Sequence, residues 1–394
     1  MIVVCEPISW GWEHVPINAA LLEIVHRAFP SREIAFYAEE SHIANVKSEL
    51  ETATSRAITW SPIPRPRRHA PPRDRWYADM RLIWQMLRVL RDAPDGHFLL
   101  CTANPEIVLA LKAFVRLGAV QDKTIQIVCH GALAHLRGWR SRNPFMRIRD
   151  WRSALTLGND RRIQFIILEE PVRRRVVDLL PAIEGHLAKL DHPIPSIEPH
   201  PPDVDFRPPF RFGFLGLATD AKGFPAFLEM AAILKQRFSD RVEFHAIGTI
   251  SPDSAAQAMD ALTIKPGVAK RDRSEFTRCV RRLHYVCLPY QSEHYELSPS
   301  GVLMDAIAFG KPLLSVGIPL VKELFDRFGD IGFLCTDTRN FCDTITKIVT
   351  EPDEGRYRRQ VQALTAVRES RTSAALTPTY QGFTRRLVGA DQGL

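Results

Sequence analysis

Short runs of β-branched and aromatic residues alternate with longer helical patterns along this chain, and the alternation occurs twice. In the first half the runs are "MIVVC", "EIAFYA", "HFLLCTA" and "TIQIVC", and helical patterns follow the first three. Such alternation is typical of β-α-β units, in which a helix connects two parallel strands. It stops in a stretch with seven prolines, 193–209, and begins again at "FRFGFLGL". Because proline interrupts both helices and sheet ladders, we predict an α/β protein with two Rossmann-like parallel-sheet domains.

The domain boundaries follow from this pattern, and the length of 394 residues agrees with it, since a single core stops growing at roughly 250–300 residues. We predict an N-terminal domain at 1–192, a Pro-rich linker at 193–209, a C-terminal domain at 210–372 and a tail at 373–394. One arrangement for the tail is packing back on the first domain. Within the second domain, the pattern predicts helices at 223–237, 253–261 and 300–309.

The net charge and the cysteine content indicate the class of protein, but they do not identify its partner. The net charge of +7 suits an anionic partner, and nucleic acid, acidic lipid and phosphorylated substrates all remain open. The seven cysteines lack any C-x-x-C spacing and mostly lie in apolar runs, so we expect reduced core residues. The chain starts directly with a strand-like run and has no apolar stretch of about 18 residues. We therefore expect a cytoplasmic protein with neither a cleaved signal nor a membrane span.

Several chemical motifs are absent from the sequence. The glycines of "GFLGLATDAKG" have the wrong spacing for a dinucleotide fingerprint, and "FGKP" lacks the other residues of a nucleotide-triphosphate loop. Neither a G-x-S-x-G elbow nor an H-E-x-x-H pair is present. Asp203 and Asp205 have the D-x-D spacing of some metal sites, but they lie in the predicted linker, so we expect no metal there.

A strand, a turn and a helix start open the second domain in "FGFLGLATDAKGFPAFLEMAAIL". The strand ends at Gly216, and Lys222 with Gly223 precedes the helix. Glycine lets a phosphate approach the backbone, a helix N-terminus offers unpaired N–H groups, and lysine adds a positive charge. The segment predicts a diphosphate site, with a solvated lysine beside a helix-starting glycine as the alternative.

A second strand–loop–helix segment, "LPYQSEHYELSPSGVLMDAIAFGKPLLSV", follows further along. Its buried strand ends at Tyr290, and Ser298, Ser300 and Gly301 precede an apolar helix. Hydroxyls and free N–H groups past the C-terminal end of a strand are typical of phosphorylated-ligand sites in open α/β sheets. Ser300 acting only as a helix N-cap is the alternative.

These two segments resemble the donor-binding domain of group 1 glycosyltransferases, the retaining nucleotide-sugar enzymes of the GT-B fold. The resemblance covers about 205–350 and also includes "VEFHAIG" and "DIGFLC". It implies two Rossmann-like domains facing a cleft. It further implies that Lys222 contacts the donor diphosphate and that Asp305, the second acid of an E-x7-E pair, holds the ribose hydroxyls.

The sequence departs from the family pattern at three points. Leu217 stands where the family has an arginine, and Leu297 stands where it has the first acid, with Glu296 one residue away. The family's Gly-Phe-Gly is replaced by 298–300. Either Glu296 contacts the sugar through a shifted loop, or the backbone amides of Ser300 and Gly301 hold it. The donor and the retention of configuration stay open.

The first domain resembles the family more loosely. In "EPISWGWEHVPINAALL", Gly11 permits a tight loop, and Glu13 and His14 are potential acid/base groups. In GT-B enzymes this loop faces the cleft, and in inverting members it or a neighbour carries the base that deprotonates the acceptor; exposed loop residues are the alternative. His130, at the end of "IQIVCH", resembles the family's strand-end histidine that contacts the transferred sugar.

The stretch 135–152 contains six arginines and one aspartate, interleaved with Trp139, Phe145, Met146 and Trp151. Cations with interfacial aromatics are the composition of a surface that docks on anionic lipid. RNA binding would use similar chemistry, but no nucleic-acid fold signature accompanies the stretch, so we expect no nucleic-acid partner. The alternative to a lipid-docking surface is a basic face that is simply exposed to solvent.

Together these features predict a cytoplasmic glycosyltransferase of the hexosyltransferase type, peripheral at the inner membrane and acting in cell-surface polysaccharide or glycolipid synthesis. Its partners would be a nucleoside-diphosphate-sugar co-substrate and a glycan or lipid-linked acceptor. No metal or other cofactor is expected, because Lys222 and helix-start amides can stabilise the departing diphosphate. The alternatives are a nucleotide-sugar epimerase of the same fold, and a degenerate sugar-nucleotide-binding protein or membrane adaptor.

Overall fold

The structure is a computed structural model, and its described residues are 1–65, 71–93, 96–120, 123–137, 143, 149–194, 205–269, 272–291 and 295–389. The chain forms two compact units. The first comprises Met1–Ser196, Leu297–Pro299 and Arg371–Leu394, and the second comprises Ile197–Glu296 and Ser300–Ser370.

The first unit has a seven-stranded parallel sheet with the strand order β3-β2-β1-β4-β5-β6-β7. Its strands are β1 (Ile2–Cys5), β2 (Ile34–Ala38), β3 (Ile58–Pro62), β4 (His97–Leu100), β5 (Thr124–Cys129), β6 (Ile163–Leu168) and β7 (Leu187–Leu190). Its helices are α1 (Val15–Ala28), α2 (Glu40–Glu49), α3 (Thr52–Arg56), α4 (Pro72–Arg91), α5 (Pro105–Arg116), α6 (Trp151–Thr156), α7 (Glu170–Leu179) and α14 (Ser373–Gly389). Apolar residues pack in one core with α4, α5, α6 and α7 and in another with α1, α2 and α14, so both faces of the sheet are covered.

The last helix of the chain, α14, is part of the first unit. Tyr380 is buried and donates its hydroxyl to Gln126 Oε1 at 2.8 Å, on β5. Just before the helix, Arg371 forms an ion pair with Glu169 at 2.9 Å, and both side chains are fully buried. These two contacts connect α14 and the segment before it to the sheet, and removing either partner of the ion pair would leave a buried charge unpaired.

The second unit has a five-stranded parallel sheet with the order β12-β11-β10-β8-β9. Its strands are β8 (Phe210–Leu215), β9 (Val242–Ile247), β10 (Tyr285–Leu288), β11 (Leu313–Val316) and β12 (Gly332–Cys335). Its helices are α8 (Phe224–Phe238), α9 (Arg273–Arg281), α10 (Gly301–Ala308), α11 (Pro319–Phe328), α12 (Thr338–Thr350) and α13 (Glu354–Glu369). The two parallel sheets with their helices confirm the predicted α/β class.

The helix predicted at 253–261 is wrong. Only a short 3-10 turn, Pro252–Ser254, forms there. Ser254 and Gln257 donate side-chain hydrogen bonds to Asp220 Oδ1, both at 3.2 Å, and the chain then pairs with the end of β9. These tertiary contacts replace the intrahelical hydrogen bonds that the local sequence favours.

The structure also describes all seven cysteines and the hydropathy of the helices. All seven cysteines are free and five of them are buried, as the sequence predicts. None of the helices in the described ranges combines the length and the hydropathy needed to cross a lipid bilayer.

Candidate functional site

In the second unit, sequence-predicted residues gather where β8 and β10 end. The sheet order reverses between these neighbouring strands, and open α/β sheets bind ligands at such a switch point. Gly216 follows β8 with φ +81°, and a Cβ on it would lie 3.6 Å from Lys222 Nζ. Gly223 is the N-cap residue of α8 with φ +74°, and a Cβ there would clash with Pro289 O. The positive φ favours glycine at both positions, and the close approach of Pro289 O leaves no room for a Cβ at Gly223.

Lys222 lies in an alternating arrangement of charges. Burial lowers the pKa of Lys222, and the Asp305 carboxylate on α10 acts in the opposite direction. Asp305 Oδ1 is 3.9 Å from Arg273 Nη1, at the start of α9. The Arg273 guanidinium also lies 5.5 Å from the ring centre of Phe276 and 6.0 Å from that of Phe309. The structure thus brings Lys222, Asp305 and Gly216 together and adds Arg273, which the sequence did not single out.

Tyr290 and Ser300 form a buried hydrogen-bonded pair beside this group. Their hydroxyls are 2.7 Å apart, and Ser300 Oγ also accepts a hydrogen bond from Leu303 N at 3.1 Å. Ser300 is therefore the N-cap of α10 and a partner of Tyr290 at once. Of the residues that the structure describes, none has an atom within 4 Å of where a Cβ on Gly301 would be, so the first residue of α10 borders open space in that part of the chain. Helix-start N–H groups have no intrahelical partner, so this end of α10 can accept an anion or a hydroxyl.

The loop before α10 is divided between the two units. Glu296 belongs to the second unit, whereas Leu297–Pro299 belongs to the first, and Leu297 is buried in the core of that unit. Ser298 Oγ lies 3.9 Å from the position of a Cβ on Gly131, which follows β5. Ser298 is thus grouped with the first unit and not with Tyr290 and Ser300. Glu293 and His294, also in this loop, lie outside the described residues.

In the first unit, a buried carboxylate organises the loop after β1. Glu6 is almost completely buried and accepts hydrogen bonds from Ile8 N at 2.9 Å and Ser9 N at 3.0 Å. It also accepts from the Thr102 hydroxyl after β4 and from Asn18 Nδ2 at 3.0 Å. Four donors from three segments therefore hold one side chain.

The same network fixes the tip of the loop through α2. Asn18 Nδ2 lies 2.9 Å from His42 Nε2, and His42 Nδ1 lies 2.9 Å from Gly11 O. An amide nitrogen can only donate, so His42 accepts at Nε2 and donates from Nδ1 to Gly11 O. The loop that carries Glu13 and His14 is thereby tied to two helices. This network of Glu6, Asn18, His42 and Thr102 was not predicted, although Glu6 is the first residue after the "MIVVC" strand.

Glu13 and His14 lie at the end of this loop. Glu13 Oε2 accepts from Trp10 N at 3.4 Å, and the Glu13 N–H donates to Trp10 O at 3.0 Å. His14 is exposed, has φ 56° and lies with Nδ1 3.1 Å from Ser9 Oγ. Positive φ is unusual for a residue with a Cβ, so the surrounding contacts hold His14 in a strained conformation.

Three histidines meet past the carboxyl ends of the first sheet. The His130 ring, after β5, lies 4.3 Å from the ring of His14, edge to face, and 5.6 Å from the ring of His192, after β7. Burial, with His14 and His192 adding to it, lowers the pKa of His130 well below its usual value, and burial lowers that of His192 to about 4. His130 Nδ1 is buried with no hydrogen-bond partner among the described residues. Burial therefore favours the neutral ring of His130. The sequence did not indicate His192.

Within the described ranges, no group of three or more His, Cys, Asp or Glu side chains has the geometry to hold a metal ion. Of the Asp203–Asp205 pair, Asp203 lies outside those ranges, and Asp205 forms an exposed ion pair with Arg207.

Comparison with known proteins finds one matching family model and a number of solved structures with a similar fold. Residues 209–351 match the family model described as Glycosyl transferases group 1. A search of curated protein sequences finds no match.

Three solved structures illustrate the similarity in fold. A glycosyltransferase from Rickettsia africae ESF-5 superposes with a TM-score of 0.65 at 8% identity, over 98% of either chain. A structure described as trehalose-6-phosphate from E. coli bound with UDP-2-fluoro glucose gives 0.63 at 10% identity, over 98% of this chain and 99% of that one. A point mutant of S. aureus TarM, in complex with Fondaparinux, alpha-GlcNAc-glycerol and UDP, gives 0.55 at 13% identity over 78% of this chain, which spans only 58% of TarM. At these identities the similarity shows the fold alone.

Proposed function

We propose that this protein, a glycosyltransferase of the GT-B fold whose residues 209–351 form a group 1 glycosyl transferase domain, moves a sugar from a nucleoside diphosphate to a hydroxyl acceptor. The acceptor is a glycan or a lipid-linked glycan in surface polysaccharide or glycolipid synthesis. The observation that carries the proposal is the Lys222–Asp305–Arg273 group at the β8–β10 switch point. Two of the solved structures with a similar fold are complexes with UDP or a UDP-sugar, which makes uridine the first base to test.

The donor diphosphate binds at Lys222 and at the start of α10. Lys222 is half-buried, and a charge in such a site interacts more strongly with phosphate than an exposed one. The open space beside Gly301 lets an oxygen reach the unpaired N–H groups of the helix. Positive charge and helix amides are aimed where the diphosphate gains charge as it leaves, so the proposal needs no metal.

Asp305 holds the ribose hydroxyls, and Arg273 positions Asp305. The family's arginine is replaced by Leu217, and Arg273 supplies a second cation from a different segment of the chain. For the sugar, we favour the backbone amides at Ser300 and Gly301 over Glu296, because Gly301 borders open space.

The first unit supplies the acceptor side of the reaction. Neutral His130 offers its buried Nδ1 to a sugar hydroxyl. His14, which touches His130 and is exposed, is the group we assign to accept the acceptor's proton, with Glu13 as the alternative. The acceptor oxygen then bonds to the anomeric carbon while the bond from that carbon to the diphosphate oxygen breaks, and the diphosphate leaves with the electron pair.

The proposal is tested by release of nucleoside diphosphate from UDP-, GDP-, CDP- and dTDP-sugars, with and without glycan and lipid-linked acceptors. We expect release from one base class that depends on the acceptor. Acceptor-independent release or rearrangement of the sugar would instead support an epimerase. Binding without turnover of any donor would support a degenerate sugar-nucleotide-binding protein.

The location of the protein is part of the same proposal. A lipid-linked acceptor would be met at the cytoplasmic face of the inner membrane. The predicted lipid-docking stretch 135–152 stays a prediction, because most of it, including Trp139, Phe145 and Met146, lies outside the described residues.

A further inference from the structure

Helix α4 of the first unit exposes three large aromatic side chains. Trp76 is 42% exposed, Tyr77 66% and Trp84 44%. Trp76 and Tyr77 contact each other with their ring centres 5.3 Å apart. Single exposed apolar residues are common on proteins, but three on one helix form a patch that needs a reason.

Two of the exposed aromatics, Tyr77 and Trp84, share one stripe of α4 with arginines. Successive members are three or four residues apart, which places them on the same side of a helix. The members of this stripe, in order, are Arg73, Tyr77, Arg81, Trp84, Arg88 and Arg91. Arg81 and Arg88 have no carboxylate within ion-pair distance among the described residues.

The opposite side of α4 packs in the core of the first unit. The exposed stripe is therefore not the side of the helix that packs against the sheet. Leu82, Ile83, Met86, Leu87 and Leu90 are buried against the sheet. Asp79, on the buried side, pairs with Arg65 at 2.8 Å. The helix is therefore fixed to the first unit with its stripe facing solvent.

The neighbouring helix α5 extends the patch. Trp84 packs against Phe114 with ring centres 5.4 Å apart. Just past α5, Leu117 is 82% exposed, and Arg116 beside it is exposed too. Aromatic, aliphatic and cationic side chains thus continue from α4 onto α5.

We propose that this α4 stripe docks the first unit on an anionic lipid surface. Tryptophan and tyrosine have an apolar ring and a polar edge, which suits the headgroup level of a bilayer, and arginine reaches lipid phosphates with its guanidinium while its stem stays near the acyl boundary. A convex helix stripe meets a flat surface along its whole length, whereas a single-stranded nucleic acid is typically held in a groove. The inference does not depend on glycosyl transfer, and on the proposed function it would bring the acceptor side of the protein to a lipid-linked acceptor.

Flotation with phosphatidylcholine vesicles, with and without phosphatidylglycerol, tests the proposal in the absence of donor and acceptor. We expect binding only to the anionic vesicles, weakened by salt. Arg81→Glu with Arg88→Glu changes the charge of the stripe by four units and should weaken binding by at least about a hundredfold, since each unit of charge near such a surface contributes roughly a factor of five. The matched control, Arg339→Glu with Arg359→Glu, makes the same charge change at exposed positions of the second unit and should bind like the unaltered protein.

A second variant separates insertion from charge attraction. Tyr77→Ser with Trp84→Ser should weaken binding about tenfold, and the blue shift of tryptophan emission on adding anionic vesicles should shrink. Equal thermal midpoints of both variants and the unaltered protein would show that they fold. Absence of binding to anionic vesicles, unchanged binding of the Arg81/Arg88 variant, or binding to polyuridylate RNA that these vesicles do not compete would each overturn the proposal. Loss of vesicle binding with normal turnover of a soluble acceptor would leave the proposed function intact.

Discussion

The two units build their sites in different ways. In the second unit the site is made of a glycine turn, a helix start and charges placed by short strand–turn–helix segments. In the first unit it depends on contacts between distant parts of the chain, such as Thr102 to Glu6 and His14 to His130. The first kind of site depends on backbone geometry and has a local sequence pattern. The second exists only after the sheet has assembled, so its parts carry no shared pattern.

Because the two candidate sites are built differently, we expect variants in the two units to change different quantities. If the second unit binds the donor by charge and backbone amides, its variants should change donor affinity and turnover together. If the first unit positions acid/base groups through a buried network, its variants should change turnover and stability but leave nucleotide binding as it is. The four variants below test this separation.

The largest effect is expected from Lys222→Ala. Removing one group that stabilises developing charge typically lowers turnover by about 10²–10³-fold. The fold should survive, because Lys222 is only half-buried and lies in a short 3-10 turn, Asp220–Lys222, and not in a core strand or helix. Turnover is measured as release of nucleoside diphosphate, with Lys347→Ala, an exposed lysine on α12, as the control. Equal turnover in the two variants would refute the role of Lys222.

The next effect is expected from Glu6→Gln. The amide can accept only at one oxygen and brings an NH₂ group toward Asn18, so about 1–3 kcal/mol of unfolding free energy should be lost. Turnover should fall while nucleotide affinity stays the same, because the loop with Glu13 and His14 loses its support. Chemical denaturation and calorimetric titration measure the two quantities, with exposed Glu40→Gln as the control. A matching loss of nucleotide affinity would contradict the separation of the units.

Arg273→Ala should lower donor affinity by about tenfold, the usual scale for one charge-assisted contact at a partly exposed site. Exposed Arg278→Ala on the same helix α9 serves as the control. Adding Leu217→Arg to the Arg273→Ala protein should restore part of the affinity, since it returns a cation to the family's position. Failure of Arg273→Ala to change affinity would remove Arg273 from the site.

The smallest effect is expected from Ser300→Ala, which removes the α10 cap and the Tyr290 hydrogen bond. The loss in unfolding free energy should be about 1 kcal/mol. Thr350→Ala, whose exposed hydroxyl bonds to the preceding turn of α12, is the matched control. A stability equal to that of the control would show that Ser300 is not a structural cap, and the hydroxyl would then have to act on the ligand.

The sequence predicted the central strands of both sheets because each has a strong local signal, and the same kind of signal singled out Gly216, Lys222 and Asp305 of the second unit. It did not indicate β3 and β7, the two edge strands of the first sheet. β3, with residues ITWSP, and β7, with LAKL, pair on one side only and carry half-buried or exposed residues, so their apolar pattern is weak. The sequence also gave no prediction of helix α4 (Pro72–Arg91).

The candidate site of the first unit shows more clearly what local sequence patterns fail to predict. Glu13, His14 and His130 were singled out one at a time, and only the fold brings the rings of His14 and His130 into contact. Glu6 and His192 escaped notice because a carboxylate or a histidine after a strand has many ordinary explanations. Their roles come from burial and from partners that are distant along the chain, which no local pattern records. In the second unit, Arg273 was missed for the same reason, since its partner Asp305 is in another segment.

The central claim is that a nucleoside diphosphate binds the second unit at Lys222. Calorimetric titration with UDP, GDP, CDP and dTDP tests it most directly, on the unaltered protein and on the Lys222→Ala and Glu6→Gln variants. The account predicts that one of the four binds, that Lys222→Ala weakens this binding strongly, and that Glu6→Gln leaves it unchanged. Binding that survives in Lys222→Ala, or no binding by any of the four, would contradict it.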